Sequence, residues 1–223
     1  AGYPSHDGIV VTGQPRYDTL TRASETFDRE QFRHNLNIDP SKKLVLIASQ
    51  PFALFGNKEL FFRSIFQALK DNSKVCIVIK PKPSDTQAEW HSQLAKEMGI
   101  NAIVLPPKSD TNEALNACDV LTTGHSTVAL EAIILGKPVV TVNLSNQPDP
   151  IPYAENGAAS GVYKAENIAT AVERALEDSE TRERLAEGRQ KYLYEQYYKL
   201  DGQASKRVVE LIYQMIEERE QVK

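Results

Sequence analysis

Long apolar runs are missing from this sequence, and so is an excess of basic charge. No stretch holds the roughly 20 apolar residues that a bilayer-spanning helix takes. Lys and Arg number 26 against 30 Asp and Glu, a net charge of -4. Broad nucleic-acid binding needs a basic footprint, so no nucleic-acid partner is expected. A local basic pocket for phosphates stays compatible with that balance. Cysteine is scarce: Cys76 and Cys118 are the only two. That number and context suggest neither a disulfide framework nor a zinc site, and both read as small buried side chains of a reduced, cytoplasmic protein. The start lacks a charged-then-apolar leader pattern, and it lacks an initiator Met, so the sequence reads as a piece of a longer protein. A Gly-x-Gly-x-x-Gly fingerprint and a P-loop lysine are both missing, which counts against NAD and ATP. His6, His34 and His91 show no metal-ligand spacing and read as surface residues. No Ser/His/Asp set or carboxylate pair can be built from spacing, and no metal is expected.

What is present is ordinary globular material. Of 223 residues, 41% are hydrophobic and 25% charged, enough for one sizeable core and a small appendage. Apolar runs alternate with helical periodicity. Strands are expected at 9–11, 43–48, 75–79, 102–105, 119–123 and 138–142. Helices are expected at 28–35, 57–71, 85–98, 110–117, 126–135 and 166–177, with Gly99 and Gly136 closing two of them. Residues 143–161 read as a long polar loop, of a length that is often functional. The tail, 180–223, reads as two helices broken near Asp201-Gly202. Phe61, Phe62 and Phe66 have helical spacing and read as core. Tyr192, Tyr194, Tyr197 and Tyr198 are expected to pack the last helices. The charge run from Glu217 to the end reads as a solvated helix terminus.

Strands that are apolar throughout, each followed by a helix, imply a parallel sheet covered on both faces. The fold class is therefore α/β, a Rossmann-like doubly wound sheet with extra C-terminal helices. Three parts are expected: a leading segment 1–27, a nucleotide-binding domain 28–179, and helices 180–223 packing on it. In such sheets ligands bind outside the carboxyl ends of the strands. One candidate there is Gly124-His125-Ser126-Thr127 with Glu131. The glycine permits a tight turn and close ligand approach. Ser126 or Thr127 caps the following helix, whose free N–H groups and partial positive charge suit a phosphate. Glu131 can reach the same helix end. The pattern equally fits an ordinary N-cap with a solvated Glu131. Lys80-Pro81-Lys82-Pro83 follows a buried strand and reads either as a basic edge for phosphate or as two solvated lysines. His125 is a candidate catalytic base or phosphate donor, or else a local hydrogen-bonding residue.

The run from Asp119 through Gly124-His125-Ser126-Thr127, Leu130-Glu131-Ala132 and Leu135-Gly136-Lys137-Pro138 resembles the C-terminal domain of GT-B fold enzymes. It looks most like capsule and surface-polysaccharide glycosyltransferases. UDP-GlcNAc 2-epimerases and CDP-glycerol glycerophosphotransferases look similar too. Thr12-Gly13-Gln14-Pro15-Arg16-Tyr17-Asp18 resembles the segment by which such chains enter their second domain. Two departures stand out. Lys82-Pro83 stands where the teichoic-acid branch has His-Pro. The epimerases carry a Gly-Gly-x-Gln-Glu-Glu run where this chain has only Glu131, so the resemblance favours transfer over epimerisation.

The resemblance implies a nucleotide-sugar donor as substrate and no cofactor. Lys80, Lys82, Ser126, Thr127 and the backbone after Gly124 would hold the phosphates, and Glu131 the ribose. Leu105, Pro106 and Pro107 would lie along the base. Ser49, Gln50 and the loop 143–153 would face the sugar and acceptor. Catalysis would rest on electrostatic stabilisation of the leaving diphosphate. A missing N-terminal domain would supply most of the acceptor site, and peripheral membrane association fits a lipid-linked or surface-polymer acceptor. An epimerase-like isomerase and a non-catalytic nucleotide- or partner-binding domain stay open as alternatives.

Overall fold

The computed structural model describes residues 8–50, 52 and 56–221. His6 and residues 222–223 of the closing charge run lie outside them. The strands are β1 (Lys43–Ala48), β2 (Val75–Lys80), β3 (Ala102–Val104), β4 (Val120–Thr123), β5 (Val139–Val142) and β6 (Ser160–Val162). The helices are α1 (Ala23–Thr26), α2 (Arg29–Asn35), α3 (Lys58–Leu69), α4 (Glu89–Glu97), α5 (Thr111–Ala117), α6 (Val128–Ile134), α7 (Ile168–Glu177), α8 (Ser179–Gln196) and α9 (Ala204–Gln221).

The six strands form one sheet in the order β3-β2-β1-β4-β5-β6. Every pairing is parallel. Strand side chains alternate between two faces, and both are covered. Leu44, Leu46, Leu121 and Val139 pack with Phe32 of α2, Leu115 of α5 and Ile133 of α6. Val45, Ile47, Ile79 and Val140 pack on the other side with Phe62 and Phe66 of α3, Leu94 of α4 and Val172 of α7. Phe62 and Phe66 are wholly buried, and each such side chain contributes about 1.5–3 kcal/mol through removal from water.

Helix starts follow the chemistry of their first residues. Asp28, Asn57, Asp110 and Asp178 each accept a backbone N–H of the first turn through a side-chain oxygen, at 2.7–3.0 Å. Gly99 and Gly136 follow α4 and α6 with φ of 68° and 70°, a left-handed conformation that suits glycine.

Several expectations are corrected. Residues 9–11 form no strand; Ile9, Val10 and Val11 are exposed, and no strand among the described residues pairs with them. The loop 143–161 ends in β6, a strand that exists because the edge of β5 supplies its partner. The helix expected from 85 starts at Glu89, because the Asp85 carboxylate turns back to accept the Gln87 N–H at 2.9 Å. His91 is fully buried rather than on the surface. Tyr192 and Tyr197 pack with each other and with Tyr153 and Tyr17, whereas Tyr194 and Tyr198 are exposed.

The leading residues join this core: Tyr17 and Leu20 are buried beside Phe32. Asp18 reaches α9, accepting the N–H groups of Ala204 at 3.0 Å and Ser205 at 2.8 Å. At the amino end of the sheet, Asp119 accepts from Arg29 at 2.9 Å and from the Leu44 N–H at 2.7 Å, tying α2 to β1.

The strand order reverses direction between β1 and β4. From β1 the chain winds outward to β2 and β3, then returns beside β1 and winds the other way. The connections leaving β1 and β4 therefore part to opposite sides, which opens a crevice at their carboxyl ends.

Candidate functional site

Ser49 and Gln50 follow β1 at that switch point, and Gly124 and His125 follow β4. Ser49 and Gln50 are both buried. The Ser49 N–H donates to the Lys80 carbonyl at 3.0 Å, continuing the β1–β2 ladder by one step. Gln50 crosses instead towards β4: its side-chain oxygen accepts the His125 backbone N–H. A Cβ on Gly124 would overlap the Gln50 amide, so the clasp needs glycine there.

The His125 side chain is 4% exposed, with Nδ1 4.0 Å from Asp149 Oδ1. Asp149 is held from two sides. It accepts Asn143 Nδ2 at 2.7 Å and the Tyr163 hydroxyl at 2.8 Å. Burial lowers the pKa of His125, while Asp149 and a hydrogen bond with the Asn143 side chain oppose that shift. Burial, then the bond to Asp149, pushes the Tyr163 phenol up to about 12.

Ser126, not Thr127, closes the first turn of α6: Ser126 Oγ accepts the Val128 N–H at 3.2 Å. Thr127 is the N-cap residue but makes no capping bond, and it is exposed. Glu131, one turn on, is 5% exposed, which removes the solvated alternative. Its carboxylate is paired with Arg16 of the leading segment. Burial raises the Glu131 pKa and Arg16 pulls it back.

The two lysines of the Lys-Pro-Lys-Pro turn part company. Lys80 is 3% exposed, and its Nζ donates to the carbonyls of Pro81 and Pro107, both at 2.8 Å. Burial lowers its pKa. It ties the turn after β2 to the turn after β3. Lys82 is half-buried, and its carbonyl accepts the Asp85 N–H at 2.9 Å. Leu105 is buried in the core, so Pro106 and Pro107 form the outer part of the β3 turn. Behind Lys82, Asp85 lies 3.6 Å from Lys58 Nζ, which stands 4.3 Å from the Trp90 ring centre.

The switch point thus brings together Ser49, Gln50, Gly124 and His125, while Glu131 lies one helical turn into α6. Lys80, Lys82, Pro106 and Pro107 follow the neighbouring strands β2 and β3. Neither Arg16 nor Asp149 stands out individually in the sequence, although Asp149 lies in the loop 143–153 expected to face the sugar. Arg16 sits in the Thr12–Asp18 run, and Asp149 in the loop after β5. Among the described residues, no group of three or more His, Cys, Asp or Glu side chains is placed to hold a metal ion. None of the described helices is long and apolar enough to cross a membrane.

The profile of the UDP-N-acetylglucosamine 2-epimerase family matches residues 3–213. No curated protein sequence matches the chain. Among solved structures, the UDP-GlcNAc 2-epimerase of Neisseria meningitidis bound to UDP-GlcNAc is 20% identical, with a TM-score of 0.68, covering 95% of this chain and 57% of that one. The wall teichoic acid polymerase TagF, in an H444N variant, is 20% identical with a TM-score of 0.64, covering 98% and 55%. The S. aureus MnaA–UDP structure is 17% identical with a TM-score of 0.65, covering 95% and 56%. The chain therefore spans a little over half the length of these proteins, and the likeness shows a shared GT-B fold.

Proposed function

The chain belongs to the UDP-N-acetylglucosamine 2-epimerase family, and from that membership we propose that it is the donor-binding half of a GT-B enzyme acting on a nucleotide-activated sugar. The observation that supports this most is the buried Glu131 one turn beyond the Gly124–Thr127 turn, beside the sheet's switch point. A buried carboxylate is costly unless it is paired. Arg16 pairs this one through a single oxygen, and the other oxygen would accept hydrogen bonds from ribose hydroxyls.

The Ser126 and Thr127 hydroxyls, the adjoining backbone N–H groups and the Lys82 ammonium would face the phosphates. Lys80 would act at one remove, by fixing the Pro81 and Pro107 turns through its two carbonyl bonds. Pro106 and Pro107 would lie along the base, with Leu105 beneath them. Ser49, Gln50 and the loop 143–153 would face the sugar. In transfer, the bond between the sugar carbon and the diphosphate oxygen breaks and a bond to an acceptor oxygen forms. The diphosphate leaves with the electron pair, and donors around Ser126 stabilise its charge. His125, its pKa lowered by burial, is neutral near pH 7 and suited to take the acceptor's proton. The acceptor would be a surface polysaccharide or lipid-linked chain, and a second domain would supply most of its binding site.

The family match favours a second reading on the same scaffold, epimerisation of a sugar nucleotide. Both readings require nucleotide binding. Calorimetric titration with UDP, CDP, CMP, GDP and ADP tests it: saturable binding of one nucleotide supports the donor site, and binding of none removes it. Product analysis with the full-length protein then separates a transferred sugar from an inverted C2 centre. Neither product, despite tight binding, would leave a binding domain without catalysis.

A further inference from the structure

Glu131 lies 115 residues along the chain from the residue that neutralises it. Its side chain is 7% exposed and its only ion-pair partner among the described residues is Arg16. The Arg16 side chain is 59% exposed. One end of this pair is therefore locked in the protein and the other stands in solvent.

The backbone that carries Arg16 is fixed. It lies in a short 3-10 turn, Pro15–Tyr17, where proline presets the first position. Tyr17 anchors the turn in the core, and its N–H donates to the Gln14 carbonyl at 3.0 Å. Asp18, the next residue, is committed to the start of α9. A guanidinium carries five N–H donors in a planar fork. Arg16 uses one nitrogen, Nη2, on Glu131. Its remaining nitrogens bond to nothing among the described residues, and the carbon at the centre of the guanidinium stands 5.8 Å from the Tyr17 ring centre.

An exposed pair on a mobile side chain would be weak and carry little meaning. This one differs because the buried carboxylate holds the guanidinium in place and leaves an edge of the fork facing outward. Such an edge matches two oxygens of a phosphate. We propose that Arg16 is a ligand-binding residue of this site, holding Glu131 with one nitrogen and receiving a phosphate of a nucleoside diphosphate on the rest of its fork. The proposal rests on the donor-site reading above, and it adds a cation from outside the sheet domain's own loops.

The test compares UDP and CDP with uridine and cytidine on the 223-residue chain and on Arg16→Gln and Arg16→Lys. Affinity is measured by calorimetry, and folding by thermal unfolding. In Arg16→Gln, binding of the preferred diphosphate should fall about tenfold or more, the usual consequence of losing a charged hydrogen bond. Binding of the matching nucleoside should change less than about twofold, and Arg16→Lys should recover part of the loss. Equal weakening of diphosphate and nucleoside would overturn the proposal and leave Arg16 as a counter-ion for Glu131 alone. Unchanged diphosphate binding would overturn it as well.

If Arg16→Gln unfolds because it strands the carboxylate, Glu131→Gln and the double variant replace it. The tenfold loss should then separate those two proteins. The same affinity in both would reject the contact. Failure of the unaltered chain to bind any diphosphate is a different result, and it removes the donor-site reading together with this one.

Discussion

The side-chain oxygen of Gln50 accepts the backbone N–H of His125 across the junction of β1 and β4. These two residues leave strands whose connections run to opposite sides of the sheet. The bond clasps the crevice at the point where the fold opens it. It also occupies the first N–H donor after Gly124, so an anion arriving there would meet the turn one residue later, at Ser126 and Thr127.

Gly124→Ala is expected to break the clasp, because its Cβ would overlap the Gln50 amide. Stability should fall by about 1–3 kcal/mol, typical of overpacking a tight site. Placing Gln50→Ala in the same chain should make the alanine at 124 cheaper. Equilibrium denaturation of the two single variants and the double gives the coupling directly. Additive costs would show that the two residues do not meet.

Asp149 opposes the effect of burial on His125. Removing its charge in Asp149→Asn should therefore lower the His125 pKa further, since the imidazolium loses its nearest negative partner. An NMR titration of the His125 ring proton reads this without reference to activity. A pKa that holds still or rises would remove Asp149 from the imidazole's surroundings.

Acid should destabilise the fold through its buried histidines. His91 is fully buried and its pKa is lowered, by burial first. The unfolded chain binds a proton near pH 6.5, whereas the folded chain resists it until lower pH. This contribution is therefore present above about pH 6.5 and is lost as pH falls through the folded value. The melting temperature should drop between about pH 7 and 5, and a His91→Gln variant should show a shallower drop. Trp90, 5.2 Å from the His91 ring, is the chain's single tryptophan and supplies the fluorescence signal.

Asp18→Ala should loosen the start of α9. Both carboxylate oxygens accept backbone N–H groups there, from Ala204 and Ser205. A lost cap costs about 1 kcal/mol. Hydrogen exchange at those two amides should quicken while the amides of β1 hold their protection. Equal quickening in both places would mean that the leading segment and the sheet open as one unit.

Apolar runs such as 43–48 and 75–79 determined the parallel sheet from sequence alone. A strand buried on both faces has no polar alternation to display. Helix starts at Asp28, Asn57 and Asp110 were equally local, since cap and capped N–H lie two or three residues apart. The residues following each strand were legible because a parallel sheet puts every carboxyl end on one side. What only the tertiary structure decided depends on distant partners. Ser160-Gly161-Val162 is a strand because β5 presents an edge, and Ile9-Val10-Val11 is not one because no strand among the described residues pairs with it. Lys80 turned inward to two carbonyls while Lys82 stayed near the surface, though both sit in the same turn. His91 became core beneath Phe62 and Trp90. The charge of Glu131 was settled by an arginine far earlier in the chain. Local pattern carries the free energy of forming an element, but burial and long-range pairing fix which polar groups meet, and those contacts exist only once the sheet has closed.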